Sequence, residues 1–111
     1  MARATPIPAS SREAVGKRAG WRCERCSAPA TNFHHRRSRS IRDSLTHDPS
    51  NALWLCGSGT TGCHGWAHHN PKDAREAGII VSRYEQDPGA IPVKTWHGLV
   101  YLTSEGTYRR A

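Results

Sequence analysis

The spacing of four cysteines constrains this fold more than any other feature of the sequence. Cys23 and Cys26 form a C-x2-C pair, and Cys56 and Cys63 form a C-x6-C pair that begins 30 residues after Cys26. Two thiolates separated by two residues can bind one metal ion at a tight turn, and a second pair completes the tetrahedral sulfur environment of a structural zinc site. We therefore predict a treble-clef-like fold in which a knuckle, a hairpin and a helix surround zinc. A disulfide framework is the main alternative, which a reducing cytosol disfavours.

The low apolar content of the chain also favours a bound metal. The chain has 111 residues, the size of one small domain, and only 36% of them are hydrophobic. Such a chain buries little apolar surface, so its core needs additional stabilisation from a metal or from cross-links. We predict a flexible N-terminal tail over residues 1–9 and a single α+β domain over residues 10–111.

Local patterns predict short helices and strands along the chain. Ser10 or Ser11 can cap a helix that ends at Ala19 before Gly20, with Glu13 near the reciprocal capping position. The other predicted elements are a strand over 31–35, an arginine-rich loop over 36–50, a strand over 51–56, a helix over 63–70, a short helix over 72–77, a strand over 78–84 and a hairpin over 98–110 with its turn at 104–106.

The charge of the chain is strongly positive and unevenly distributed. The formal net charge is +7, and residues 1–47 carry the whole excess, because residues 48–111 hold six basic and six acidic side chains. A basic half of this kind suits a polyanionic partner such as nucleic acid, although a solvated basic surface would look the same. The start MARATPIPASS lacks the apolar region of a secretory signal, and no segment resembles a membrane span. We therefore expect a cytoplasmic protein with no membrane partner.

The segment GCHGWAHH (62–69) predicts that one helix serves two different sites. His64 and His68 are four residues apart, so on a helix they share one face and can reach the same ion. Cys63 is displaced from His64 by about 100° around the helix axis, which directs its sulfur towards the zinc site. His69 lies off the histidine face, and we interpret it as a solvated residue or a phosphate contact.

A second pair of histidines, His34 and His35, lies in a predicted strand. Adjacent side chains of an extended segment point in opposite directions, so one ring can bind the ion while the other faces water or substrate. A site with three histidine ligands leaves coordination positions open, as catalysis requires. The alternative is that both are surface histidines of a basic loop. His47 and His97 have no partner that the sequence identifies, and we interpret both as structural or solvent-facing.

Taken in order, FHHRR (33–37), Asn51 within SNALWLC, and CHGWAH (63–68) resemble the His-Asn-His (HNH) endonuclease motif. This motif is the ββα-metal finger, and the two cysteine pairs resemble its zinc-bound subgroup. The string WLCGSGTTGCHGWAHHNP is similar to small HNH proteins of tailed bacteriophages, which are often encoded beside the packaging terminase. The resemblance covers residues 21–70 and implies a bacterial host cytoplasm and a terminase as a potential partner.

The resemblance assigns a role to each matched position. It implies that His34, His64 and His68 bind a catalytic divalent ion, that His35 is the general base, and that Asn51 orients the base or its strand. The ion would be Mg²⁺, Mn²⁺, Ni²⁺ or Zn²⁺. The implied reaction is hydrolysis of a DNA phosphodiester, by nicking or by double-strand cutting, to 5′-phosphate and 3′-hydroxyl ends.

Four arginines follow the histidine pair, and we expect them to bind DNA phosphates on either side of the cut. They are Arg36, Arg37, Arg39 and Arg42. Phosphate contacts carry no sequence information, so we expect weak specificity and strong salt dependence. We expect a monomer. One competing interpretation is a zinc-containing DNA-binding module that assists packaging without cutting, and another is a purely structural zinc protein.

Overall fold

Three helices and two small antiparallel sheets account for the regular structure of residues 6–111, the part of the chain that the computed structural model describes. The elements are α1 (Ala9–Ala19), β1 (Asn32–His35), β2 (Ala52–Leu55), α2 (Gly62–His69), α3 (Pro71–Glu76), β3 (Val93–Thr95), β4 (Gly98–Leu102) and β5 (Tyr108–Arg110), with 3-10 turns at Pro49–Asn51 and Pro88–Ala90. Strand β1 pairs with β2, and β4 lies between β3 and β5. The predicted α+β class is confirmed, and residues 1–5 of the predicted tail lie outside the described residues.

Strand β2 forms the centre of the core. All four of its residues are buried, because α1 and α2 both contact it and β1 pairs along its edge. The indole of Trp54 packs edge-on against Trp21, and its Nε1 donates a hydrogen bond of 2.6 Å to the carbonyl of Ala30. The antiparallel register places His34 opposite Leu53 and His35 opposite Ala52, which fixes both rings relative to the core.

A buried ion pair connects the helix, the cysteine knuckle and both sheets. Arg18 of α1 donates two hydrogen bonds of 2.9 Å to the carboxylate of Glu24. The same carboxylate accepts from the Trp54 backbone N–H at 2.8 Å and from the Tyr108 hydroxyl at 2.6 Å. Because each charged oxygen has partners, the pair satisfies the condition under which burial of an ion pair is tolerated. This network ties the knuckle to β2 and β5.

Helix α1 starts differently from the prediction. It begins at Ala9, and no side chain caps it; the carbonyl of Pro8 accepts from the backbone N–H groups of Ser11 and Arg12. Glu13 instead forms an exposed ion pair with Lys17, one turn along the helix. The predicted end is confirmed, since Gly20 adopts the left-handed conformation that commonly closes a helix.

The predicted strand over 78–84 is wrong. Gly78 follows α3 at φ +75, and the segment then runs irregularly through the core with Ile79 and Val81 buried. Its carbonyls are used by side chains instead of by a neighbouring strand: Arg36 binds the carbonyl of Gly78 and His34 binds that of Ile79. The predicted hairpin over 98–110 is confirmed as β4 and β5, whereas β3 was not predicted.

Within residues 6–111, none of the helices combines the length and the apolar character that crossing a bilayer would need.

Candidate metal centres and active-site cleft

The four cysteine sulfurs converge at one point, each within 4.8 Å of the others. Cys23 and Cys26 lie in the turn after α1, Cys56 follows β2, and Cys63 lies in the first turn of α2. All four are free thiols, so the disulfide alternative is not realised. The backbone N–H of Cys63 points at the sulfur of Cys56, 3.4 Å away. A cluster of four thiols at this separation can hold a metal ion.

Two glycines make the long C-x6-C spacing compatible with this cluster. Gly57 and Gly62 both have positive φ, and a Cβ at Gly57 would lie 2.1 Å from the carbonyl oxygen of Thr61. The intervening residues therefore form a tight loop, and the N–H of His64 donates to the carbonyl of Cys56 at 3.0 Å. The extra residues are looped out, and the two sulfurs stay adjacent.

A positive charge lies against the sulfur cluster. The guanidinium of Arg25 donates to Cys63 Sγ at 3.3 Å and lies over the ring of Trp66 at 3.7 Å from its centroid. Burial raises the pKa of the Cys63 thiol, and the hydrogen bond from Arg25 acts in the opposite direction. The buried thiol therefore needs a cation to ionise fully, which is the situation that a bound metal resolves.

Three imidazoles form a second cluster on another face of α2. His34, His64 and His68 each offer one ring nitrogen, and these nitrogens lie within 4.8 Å of one another. The ring centroids of His64 and His68 are 4.9 Å apart, and that of His34 is 5.3 Å from His64. His34 is buried, His64 is half-buried and His68 is exposed, so the cluster is open to solvent on one side.

Hydrogen bonding and burial prepare this cluster for a metal. His34 Nε2 lies 2.9 Å from the carbonyl of Ile79, which only accepts, so Nε2 carries the proton and Nδ1 keeps its lone pair. Burial lowers the pKa of His34 to about 3, so the ring is neutral at pH 7. Burial likewise lowers the pKa of His64, whose Nδ1 is buried without a hydrogen-bond partner in the described chain. Neutral rings with an unpartnered nitrogen fit a divalent ion.

His35 points away from the three-histidine cluster and contacts His47. Its Nε2 lies 3.0 Å from His47 Nδ1. Burial lowers the pKa of His35 to about 4, and the charge of Arg39 contributes in the same direction. His35 and the three-histidine cluster line the same cleft of about 350 Å³. The rings of His34 and His35 leave the strand in different directions, but both border this opening.

His47 is the histidine of this site that the sequence interpretation missed. The available signal was the turn DPSN directly after it, which places residue 47 just before β2, the strand whose Ala52 pairs with His35. Periodicity cannot find such a residue, because it lies in an irregular loop.

Asn51 binds backbone groups near His35 and His47 rather than their rings. Its Oδ1 accepts from the backbone N–H of Arg37 at 2.9 Å, and its Nδ2 donates to the carbonyl of Thr46 at 3.0 Å. The amide therefore joins the chain that follows His35 to the chain that precedes His47.

The prediction that Arg36 and Arg37 bind DNA phosphates is wrong. Arg36 is fully buried and donates four hydrogen bonds of 2.8–2.9 Å to the carbonyls of Gly78, Ser50, Pro88 and Ile91. Arg37 is buried as well, and its two terminal nitrogens bind the Glu85 carbonyl and the Asp43 carboxylate. The sequence did not indicate that Arg36 is structural, because the loop is polar and has no period. The carbonyls that Arg36 binds lie 14 to 55 residues away in the chain.

Other arginines surround the cleft. Arg39 is exposed and lines it next to His35. Arg75 of α3 and Arg83 line the adjoining depression, which also borders His35 and His68. The sequence did not single out Arg75 or Arg83. Arg42 is exposed on the same loop as Arg39 but does not line either depression.

Comparisons with protein-family models, with curated proteins and with solved structures found no match for this chain.

Proposed function

We propose that this protein is a metal-dependent DNA endonuclease of the HNH type, with zinc at the four cysteines and a divalent ion at His34, His64 and His68. The observation that carries the proposal is the arrangement of one cleft: three imidazoles converge on a point, and a fourth, His35, opens into the same cleft without joining them. A purely structural histidine cluster would not need the fourth ring at the cleft.

The three-histidine cluster suits a catalytic ion better than a structural one. Structural zinc sites use four protein ligands, whereas catalytic sites use three and leave room for water or substrate. His68 is exposed, so the open side faces solvent and can receive a DNA phosphate. The chemistry that an ion supplies there is positive charge beside the phosphate oxygens, which stabilises the transition state of hydrolysis.

His35 would act as the general base. Its neutral ring can remove a proton from a water molecule, whose oxygen then attacks phosphorus as the bond to the 3′-oxygen breaks; the leaving oxygen takes a proton from solvent. The low pKa of about 4 keeps the ring neutral before DNA binds. A phosphate in the cleft adds negative charge beside His35 and offsets the effect of Arg39, which raises the pKa towards the range where a base works best.

The arginines around the cleft would position DNA. Arg39 lines the cleft, and Arg75 and Arg83 line the adjoining depression. Guanidinium groups recognise phosphates without reading bases, which agrees with an enzyme of low sequence specificity. The net charge of +7 supports the same conclusion, because it favours association with a polyanion.

A metal-by-metal cleavage assay tests the proposal. Supercoiled plasmid is incubated with the zinc-loaded protein and Mg²⁺, Mn²⁺, Ni²⁺ or added Zn²⁺, and the ends are mapped. We expect nicked or linear DNA with 5′-phosphate and 3′-hydroxyl ends, and a loss of rate of about 10²–10⁴-fold in His35→Ala. His97→Ala is the matched control, because His97 is an exposed histidine that contacts Trp96 and Tyr108 away from the cleft.

Two outcomes would contradict the proposal. Cleavage that survives His35→Ala at the original rate would show that His35 is not the base. DNA binding without cleavage under every metal would favour a non-cutting DNA-binding module instead.

A further inference from the structure

We infer that His47 is a positioning residue that selects the active tautomer of His35. This inference rests on the proposed function, since it explains how the proposed base keeps a nitrogen available for the water proton. It starts from the contact between the two rings, in which His35 Nε2 and His47 Nδ1 are 3.0 Å apart. At this distance one nitrogen donates a hydrogen and the other accepts it.

The fold fixes the backbone on both sides of His47. The carbonyl of Thr46 accepts a hydrogen bond from Asn51. The carboxylate of Asp48 caps the following 3-10 turn by accepting from the Ser50 N–H, and it also accepts from the Ser104 hydroxyl. The backbone on each side of His47 is therefore fixed to the start of β2, the strand that pairs with β1. A ring carried by a fixed backbone, 3.0 Å from His35 Nε2, can impose an orientation on its neighbour.

Only one of the two tautomeric arrangements leaves a usable base. If His35 Nε2 carries the hydrogen and donates to His47 Nδ1, the lone pair of His35 resides on Nδ1 and can accept a proton. If His47 Nδ1 donates instead, a neutral His35 carries its hydrogen on Nδ1 and both of its nitrogens are occupied. The arrangement with His47 as acceptor is therefore the active one.

The same hydrogen bond persists through the proton transfer. When His35 accepts the water proton at Nδ1, its Nε2–H still points at His47 Nδ1, so the new imidazolium keeps a partner for its second N–H. No atom is transferred to His47 in this step. A neutral acceptor 3.0 Å from Nε2 favours the ring that carries a hydrogen there.

Three variants test this role by kinetics. In His47→Ala we expect kcat for plasmid nicking to fall by roughly 10–100-fold, the usual cost of removing a group that orients a site residue, with KM changed less than about twofold. In His47→Asn we expect several-fold recovery, because Oδ1 can occupy the position of Nδ1 and accept the same hydrogen bond. His97→Asn is the control and should match the wild type.

A kcat in His47→Ala equal to that of the wild type would overturn the inference. So would a fall in His47→Ala that His47→Asn does not relieve at all, because the acceptor would then not be the feature that matters.

A tautomer measurement keeps the inference separate from the nuclease proposal. Nitrogen-15 NMR of the zinc-loaded protein at pH 7 reads which nitrogen of His35 is protonated, with the signals assigned from a His35→Gln sample. We expect the Nε2–H form in the wild type and a mixture of forms in His47→Ala. The Nδ1–H form in the wild type would refute the inference even if the protein cuts DNA. If the spectra are as expected but the protein cuts no DNA, the nuclease proposal is refuted. The hydrogen bond from His35 Nε2 to His47 Nδ1 is then still supported.

Discussion

The two candidate metal centres share residues of one helix, α2, and differ in how they are built. The sulfur cluster draws four ligands from the knuckle, the end of β2 and the start of α2, and Cys23 and Cys63 are buried. The imidazole cluster draws three ligands from β1 and α2, and its His68 is exposed. A complete ligand set that joins three chain segments stabilises a fold, whereas an incomplete set beside a cleft leaves room for a reactant. Under the proposed function, the short helix α2 therefore connects a structural centre to a reactive one.

The sharpest way to test this contrast is to remove one ligand from each centre. Cys23→Ser should unfold the protein, because the apparent free energy of zinc binding to such sites, about 10–16 kcal/mol, matches or exceeds the stability of a small domain. His68→Ala should leave the fold intact, since its side chain is exposed. Far-UV circular dichroism and thermal melting measure both. Identical spectra for Cys23→Ser and the wild type would show that the sulfur centre is not structural.

A second test concerns an arginine that the sequence suggested would bind DNA. Arg36→Met should lower the free energy of unfolding by more than about 3 kcal/mol, because four buried carbonyls lose a charged donor. Arg42→Met is the matched control on the same loop, where the side chain is exposed, and should change stability by less than about 0.5 kcal/mol. Urea unfolding of the zinc-loaded proteins gives both values. Equal midpoints for the two variants would contradict a structural role for Arg36.

A chelator should remove metal from the three-histidine centre faster than from the four-cysteine centre. Brief treatment with EDTA should abolish cleavage while the circular dichroism spectrum is retained, because the three-histidine cluster has an exposed ligand and two cysteines of the other cluster are buried. Added Mn²⁺ or Ni²⁺ should restore cleavage. If structure and cleavage were lost together at every chelator concentration, the two centres would not be independent.

The smallest expected effect concerns DNA affinity. Arg39→Ala should weaken binding to duplexes of different sequence by a similar factor and should reduce the salt slope of log K by about 1, as expected for the loss of one phosphate contact. Arg110→Ala removes the same charge from exposed β5 and serves as the control. Fluorescence anisotropy at several salt concentrations measures the slope. An equal loss in both variants would mean that only net charge matters and that the cleft is not where DNA lies.

The two centres also differ in how far the sequence could predict them. The C-x2-C turn and the four-residue spacing of His64 and His68 are local patterns, and local geometry determines which way such side chains point. The alternation of His34 and His35 is equally local, and β1 places the two rings on opposite sides. The sequence alone could therefore assign the four cysteines to one cluster and His34, His64 and His68 to another, and the structure has the same two clusters.

The surroundings of the centres depend on contacts between distant parts of the chain. Arg36 reaches carbonyls that are 14 to 55 residues away, and no local pattern distinguishes it from the exposed Arg39. Residues 78–84 have the β-branched composition of a strand, but side chains of β1 and the following loop take the carbonyls that a strand partner would need. His47 became visible only when the register of β1 and β2 placed it beside His35.

The most direct test of the account is a count of metal ions on the folded chain. Native mass spectrometry of zinc-loaded protein titrated with Ni²⁺ should show two ions per wild-type chain. In His64→Ala the second ion should be lost, while the first ion and the circular dichroism spectrum are kept. A wild type that binds a single ion, or a second ion that His64→Ala retains, would contradict the existence of an open three-histidine centre beside the cleft.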